Sequence, residues 1–369
     1  MNILLISDQM HPSQHSSVEG IFRTAADHLG QVVRVYFDRQ LSQALRQDDL
    51  VRLPLRCRRH GLLAALSSVL DFADFDVLIV RNWFSVLRQC LRLRPRHAHL
   101  RLGMWESFPH TYRRLHEARV LGRALWRKTV EVKLKTLWEN RLLEQVDFHL
   151  FISASFQQLM RPGVSKPWLA LPMGVDPSDL PELKPRRCEG PLRLVYIGTI
   201  DPLRHIDTVI DRLHRRSEDF RLDIYSASHN TSVEALQHLQ DPRIRLLPAI
   251  PRRELFRRLL DYDVGIAFIP DDELYRVASP TKTFEYAALG LAILLNPLPE
   301  HTRILDEDSA LYGHFDHDGI DACLDRLFST PRLQLHEMGQ RARISVLQKR
   351  SYPVLADELA AFLQSLLKA

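Results

Sequence analysis

Two short stretches carry residue types that could hold a chain of phosphates. Ser279-Pro280-Thr281-Lys282-Thr283-Phe284-Glu285-Tyr286-Ala287-Ala288-Leu289-Gly290 reads as a helix with marked ends. Ser279 is the expected N-cap and Pro280 the first helical residue, where a missing N–H costs nothing. Gly290 supplies the left-handed residue that closes the helix. Free N–H groups at a helix start attract anions, and Lys282 adds a full charge to that first turn. Glu285, one turn on, offers a carboxylate to hydroxyls such as those of a ribose. Taken alone, the segment is equally an ordinary capped helix that packs Phe284, Ala287 and Ala288 into a core.

The second stretch, Tyr196-Ile197-Gly198-Thr199-Ile200-Asp201-Pro202-Leu203-Arg204-His205, directly follows an apolar run. Gly198 lets backbone approach a ligand closely. Arg204, just before a helix expected over 206–213, suits bidentate contact with a diphosphate. Both loops follow strands of one expected domain, so together they specify a diphosphate clamp that neither specifies alone.

The elements that would position these loops are legible as alternating short apolar runs and longer helical segments. Strands are expected over 2–7, 32–37, 77–81, 100–104, 148–153 and 169–172, then over 192–197, 222–225, 244–247, 264–269 and 292–295. This alternation predicts parallel sheets covered by helices on both faces, an α/β architecture of two doubly wound domains. The 369-residue chain exceeds one typical core. The proline-rich, aperiodic stretch around 177–191 marks a linker, giving domains 1–175 and 192–369 joined by 176–191. Open sheets of this kind bind ligands beyond the carboxyl ends of their strands, here in a cleft between the domains. An amphipathic helix over 353–367 ends the sequence and packs on one of the two domains, the amino-terminal one being a candidate.

Composition sets outer limits. With 45% hydrophobic and 26% charged residues the chain is an ordinary globular one, and it has no 18-residue apolar run to span a membrane. Lys and Arg number 50 against 45 Asp and Glu, a net charge of +5. The charge is spread along the chain without a recognition motif, so nucleic acid is not an expected partner. Cys57, Cys90, Cys188 and Cys323 are scattered, which indicates no zinc site or disulfide framework and fits a cytoplasmic protein. No G-x-G-x-x-G follows a strand, which disfavours a dehydrogenase.

Gly198 and Arg204 together with Ser279-Pro280-x-Lys282-x-Phe284-Glu285-Tyr286 and Gly290 resemble the nucleotide-sugar half of GT-B glycosyltransferases, most of all the large retaining group classed as family 4. Asp263-Val264-Gly265-Ile266-Ala267 with Pro270, Ile152-Ser153, and Pro172-Met173-Gly174-Val175-Asp176 are similar to further segments of that family. The resemblance is specific in the second half and diffuse in the first. It implies two Rossmann-like domains, no cofactor, and a nucleoside-diphosphate sugar as donor, with the base left open between UDP and GDP types. Carried over by position, Glu285 binds the ribose, while Arg204, Lys282 and the N–H groups near Ser279, Pro280 and Thr281 hold the diphosphate. Gly198 and Thr199 line the same pocket. Three positions depart from the family pattern. Val277 stands where a glutamate often touches the donor sugar, with Asp272 or Glu273 as candidate substitutes. Thr199 stands where an arginine is frequent, and Met173 replaces an asparagine.

The amino half is then expected to bind the acceptor, a glycan or lipid-linked molecule. Candidate positions are Gly20 in the polar loop 11–20 before a helix beginning near Ile21, and Glu106 and His110 after the strand at 100–104. Either of the last two could exchange protons or merely position the acceptor, because the leaving phosphate can assist deprotonation in a retaining transfer. A basic amphipathic stretch over 113–141 is a candidate contact with an anionic membrane surface, or simply a solvated helix. The expected activity is glycosyl transfer with retention in bacterial exopolysaccharide, lipopolysaccharide or glycolipid synthesis. A nucleotide-sugar epimerase or hydrolase of the same fold, or a basic nucleic-acid-binding protein, are the alternatives.

Overall fold

The structure, a computed structural model, describes residues 1–10, 17–120, 122, 125–183 and 189–368. The chain separates into two units, Met1–Met173 with Tyr352–Ala369, and Gly174–Ser351. The first unit runs β1 (Ile3–Ile6), α1 (Ser17–Leu29), β2 (Val32–Asp38), β3 (Leu45–Gln47), β4 (Leu50–Pro54), α2 (Leu62–Ser67), β5 (Val77–Arg81), α3 (Phe84–Cys90), β6 (Arg101–Glu106), α4 (His110–Val120), α5 (Leu125–Leu143), β7 (Phe148–Phe151), α6 (Ala154–Met160) and β8 (Trp168–Ala170). The second runs β9 (Leu192–Ile197), α7 (Ile206–His214), β10 (Phe220–Ser226), α8 (Thr231–Gln237), β11 (Ile244–Pro248), α9 (Arg252–Leu259), β12 (Val264–Ile266), α10 (Thr281–Ala288), β13 (Ala292–Leu295), α11 (Pro299–Ile304), β14 (Leu311–Tyr312), α12 (His317–Ser329) and α13 (Arg332–Arg350). The last helix, α14 (Tyr352–Lys368), belongs to the first unit.

Each unit is a doubly wound sheet. The first has the order β3-β4-β2-β1-β5-β6-β7-β8, parallel except for β3, and the second the fully parallel order β11-β10-β9-β12-β13-β14. Strands such as Val77–Arg81 and Ala292–Leu295 are buried throughout, as strands covered on both faces must be. In each sheet the winding reverses beside the first strand, between β1 and β5 and between β9 and β12. Connections leave such a switch point in opposite directions and open a crevice at the carboxyl ends. The loops after β1, β5 and β9 are therefore the ones placed for ligands.

Several sequence expectations need correction. The chain forms β3 and β4, and β14, where no strand was expected, and β12 stops at Ile266 instead of running to 269. Gly20 is not a ligand loop. It lies inside α1, where a Cβ would sit 1.8 Å from the buried Tyr352 ring, so its role is close packing of α1 against α14. Residues 11–16 of the supposed loop lie outside the described residues. The basic stretch 113–141 is two helices, broken where Gly122 adopts a φ of +61°.

Gly339 in α13 performs a similar service at the far end of α10. A Cβ there would come within 2.1 Å of the Gly290 carbonyl oxygen, and backbone has little room to retreat. Gly339→Ala should therefore destabilise the fold by about 1–3 kcal/mol, despite the better helix propensity of alanine. Thermal unfolding checks this, and an unchanged or raised midpoint contradicts the close approach.

Candidate active site

The loop after β9 is shaped by its own polar residues. Gly198 adopts a φ of +135°, a backbone region closed to most side chains. The Tyr196 hydroxyl donates to the Thr199 carbonyl at 2.9 Å, and Ser228 and Asn230 pin Ile200 through hydrogen bonds of 2.9 and 2.7 Å. Asp201 accepts the N–H groups of Leu203 and Arg204, both at 3.0 Å, and its second oxygen pairs with the Arg204 guanidinium. Arg204 is thus held at the loop on an internal carboxylate, with about a third of its side chain exposed.

Helix α10 brings the second half of the site. Its start differs from expectation: Pro280, with ψ at 107°, is still extended and occupies the cap position, so the helix begins at Thr281 and Ser279 is not the N-cap. Ser279 instead lies buried before the turn. The far end closes as expected. Gly290 has a φ of +70°, its N–H reaches the Ala287 carbonyl at 2.8 Å, and the Leu291 N–H reaches the Tyr286 carbonyl at 3.1 Å. Thr283 is fixed by the buried His301. The Asn296 carbonyl can only accept, so His301 Nδ1 carries the proton and Nε2 accepts from the Thr283 hydroxyl at 3.0 Å.

Lys282 lies with its ammonium 4.0 Å above the Tyr196 ring, and a Cβ on Gly198 would lie 4.0 Å from Nζ. Gly198, Tyr196 and Lys282 therefore converge. Burial, reinforced by the nearby Arg204 charge and partly opposed by Asp201, pushes the Lys282 ammonium down to about 7. Two basic groups and a helix start thus face one loop, and nothing anionic in the chain bonds to Lys282 among the described residues. Glu285 is 6% exposed and its carboxylate is ion-paired with Arg252 at the start of α9, which in turn stacks on Phe256 at 4.4 Å. Arg252 carries no cue in the sequence beyond its place after a strand. Val277 is fully buried and Asp272 caps a turn through the N–H groups of Leu274 and Tyr275.

In the first unit a cavity of about 580 Å³ opens beside the ends of β5 and β6. It is lined by Asn82, Glu106, His110 and Lys135 among others. The two residues expected here fare differently. Glu106, 4% exposed, is gripped by Arg161 through bonds of 2.7 and 3.0 Å, and Arg161 also holds the buried Glu139 at 2.9 Å. Burial opposes the Arg161 charge, but the two carboxylates more than offset this and hold it firmly protonated. Both Glu106 oxygens are therefore engaged by Arg161, which corrects the expectation that this carboxyl exchanges protons with the acceptor or positions it. His110 stays accessible, half exposed, with Nε2 3.9 Å from the Asp8 carboxylate. Asp8, after β1, also accepts from Arg81 at 2.6 Å and from Asn82 at 2.8 Å. Burial, with the charges of Arg113, Lys135 and Arg81, lowers the His110 imidazole below its ordinary value against the pull of Asp8, so it is neutral at pH 7. Asp8, Arg81 and Asn82 immediately follow or end apolar runs, the signal that would have found them.

No group of three or more His, Cys, Asp and Glu side chains is placed to hold a metal ion among the described residues. No family model matches the chain, and no curated protein matches it. Solved structures match along its whole length. Sucrose-phosphate synthase from Thermosynechococcus elongatus superposes with a TM-score of 0.74 over 100% of this chain and 99% of that one, at 13% identity. The α,α-trehalose 6-phosphate synthase from Burkholderia multivorans gives 0.69 over 99% and 98%, at 13% identity. The E. coli trehalose-6-phosphate protein bound with UDP-2-fluoro glucose gives 0.68 over 100% and 99%, at 12% identity. At these identities the likeness establishes the fold, GT-B with two Rossmann-like units.

The lowered Lys282 value has a measurable sign. The folded chain releases this proton near pH 7 and the unfolded chain near 10.5, so this group makes stability rise with pH across that window. A bound diphosphate favours the charged ammonium and reverses the shift. Binding of UDP or GDP at pH 8 should therefore take up close to one proton, seen as a binding enthalpy that changes with buffer ionisation enthalpy. The same enthalpy in every buffer contradicts the assignment.

Proposed function

We propose that this protein is a glycosyltransferase that moves a sugar from a nucleoside-diphosphate sugar to an acceptor hydroxyl with retention of configuration. The observation that carries the reading is the convergence of Gly198, Lys282, Arg204 and the start of α10 at one loop of the second unit. Lys282, Arg204 and the N–H groups at Thr281 would bind the diphosphate and stabilise the charge that develops as the sugar–phosphate bond breaks. Glu285, oriented by Arg252, would bind the ribose. The acceptor oxygen bonds to the anomeric carbon on the face the phosphate leaves, and its proton passes to the departing phosphate oxygen. His110, neutral at pH 7, would hydrogen-bond and align the acceptor in the first-unit cavity.

Turnover of UDP-, GDP- and ADP-sugars, with products separated into transfer, hydrolysis and epimerisation, tests this reading. Lys282→Ala and Arg204→Ala should each lower kcat/KM at least tenfold, about 1.4 kcal/mol or more of transition-state stabilisation. Wild-type activity in both variants removes the site assignment.

A lipid-linked acceptor in surface polysaccharide or glycolipid assembly is part of the same proposal. It is supported by α5, where Trp126, Val130, Leu134 and Leu137 follow helical spacing and are 71%, 50%, 64% and 60% exposed. Arg127, Lys128, Lys133, Lys135 and Arg141 belong to the same helix, so the apolar stripe suits an anionic bilayer surface. No helix among the described residues is long and apolar enough to cross a membrane. The protein should sediment with phosphatidylglycerol vesicles and not with phosphatidylcholine vesicles. Trp126→Ser with Leu134→Ser should abolish that association, and equal sedimentation of the variant rejects α5 as the contact.

A further inference from the structure

One face of the second sheet gathers arginines well away from the diphosphate loop. Arg193 on β9 stands directly opposite Arg221 on β10, and Asp223 stands opposite Arg245 on β11. Arg193 precedes Gly198 by five residues, about 16 Å along the strand. These four residues, with Arg258 from α9 and Tyr262, line a cavity of about 310 Å³.

The charges in this cavity are unevenly satisfied. Arg245 forms two bonds of 2.7 Å with the buried Asp223, which also accepts the Tyr262 hydroxyl at 2.5 Å. That part is neutral and rigid. Arg193 gives one N–H to the Asp261 carbonyl at 3.2 Å, and Arg258 pairs with Glu254 at 3.0 Å. Arg221 has no hydrogen-bonding or carboxylate partner among the described residues. Like charges set directly across a parallel or antiparallel pair repel, so the Arg193–Arg221 juxtaposition costs stability unless an anion bridges it. The lining holds four arginines against Asp223, already neutralised, and Asp261.

We propose that this cavity is a binding site for a small, multiply charged phosphate compound, bridged between Arg193 and Arg221 and closed by Arg258. The guanidinium fork matches phosphate oxygens two at a time, and the cavity is large enough for one or two phosphate groups with a small substituent. Nothing in the glycosyl-transfer reading uses these residues. The helix that brings Arg258 here begins with Arg252, the partner of Glu285, so the two sites load opposite ends of α9.

Pyrophosphate is the probe, titrated calorimetrically at about 0.15 M ionic strength onto the full chain carrying Arg204→Ala and Lys282→Ala. This background removes the donor clamp, so its own failure and that of the new site are separable. One saturable site should remain, and adding Arg221→Ala or Arg258→Ala should weaken it at least tenfold. No saturable binding in the background, or unchanged affinity after both additions, overturns the proposal. Arg221 is exposed, so its removal leaves the core intact. As a second readout, Arg221→Gln should raise the melting temperature without pyrophosphate and abolish the rise that pyrophosphate gives the unsubstituted chain. An undiminished rise in the variant also overturns it.

Discussion

A single buried hydrogen bond holds the two halves of the proposed donor site in register. The Ile197 N–H donates to the Tyr286 hydroxyl at 2.7 Å. It is available because β12 pairs with β9 only at Leu194 and Val195 and then diverges, leaving the last N–H of β9 on that side without a ladder partner. Tyr286 reaches it because Gly265 leaves space for the ring, where a Cβ would come within 2.4 Å. The short strand, the glycine and the tyrosine are one device. It fixes α10 against β9, and so sets Lys282 above Tyr196 and beside Gly198. Burial holds the Tyr286 phenol well above its ordinary value, so the hydroxyl stays neutral and the contact insensitive to pH.

The first unit stores its charge differently. Arg161, Glu106 and Glu139 form a buried triad, with Thr111 donating to Glu139 at 2.6 Å and the Lys135 ammonium 3.7 Å from the same carboxylate. Removing Arg161 would leave two buried carboxylates without the cation they share, at a cost of several kcal/mol. The Asp8, Arg81 and Asn82 group is only partly enclosed and ends at the accessible His110. One cluster fixes the cavity wall, and the other presents a polar group to whatever enters.

The cluster around Gly198 and Lys282 was more legible in the sequence than the surroundings of the first-unit cavity, for a physical reason. The proposed diphosphate site is built from local features: a glycine after a strand, a basic residue in the first turn of a helix, and a left-handed closing glycine. Gly198, Lys282 and Gly290 are each readable within a few residues of their element. Glu106 looked like a free carboxylate because its partner Arg161 lies 55 residues away, across a helix pair that periodicity alone does not fold. Gly20 misled in the same way, since only the distant Tyr352 explains it. The missed β3 and β4 are short, arginine-bearing strands at a sheet edge, and β14 has two residues, so none shows a sustained apolar run. The misplaced helix start at Ser279 is a local error of one residue, within the ordinary scatter of helix ends.

The return of α14 to the first unit has a consequence for how the chain matures. Tyr352, Leu355 and Leu359 complete a core with Ile21, Phe22 and Leu5, residues synthesised at the other extreme of the sequence. During translation the whole of Gly174–Ser351 emerges before that cover exists, so α1 waits with an apolar face uncovered. The second unit, continuous in sequence, can close first. The first unit can acquire its final packing only after Tyr352–Lys368 has left the ribosome, so the unit whose strands are made first completes its core last.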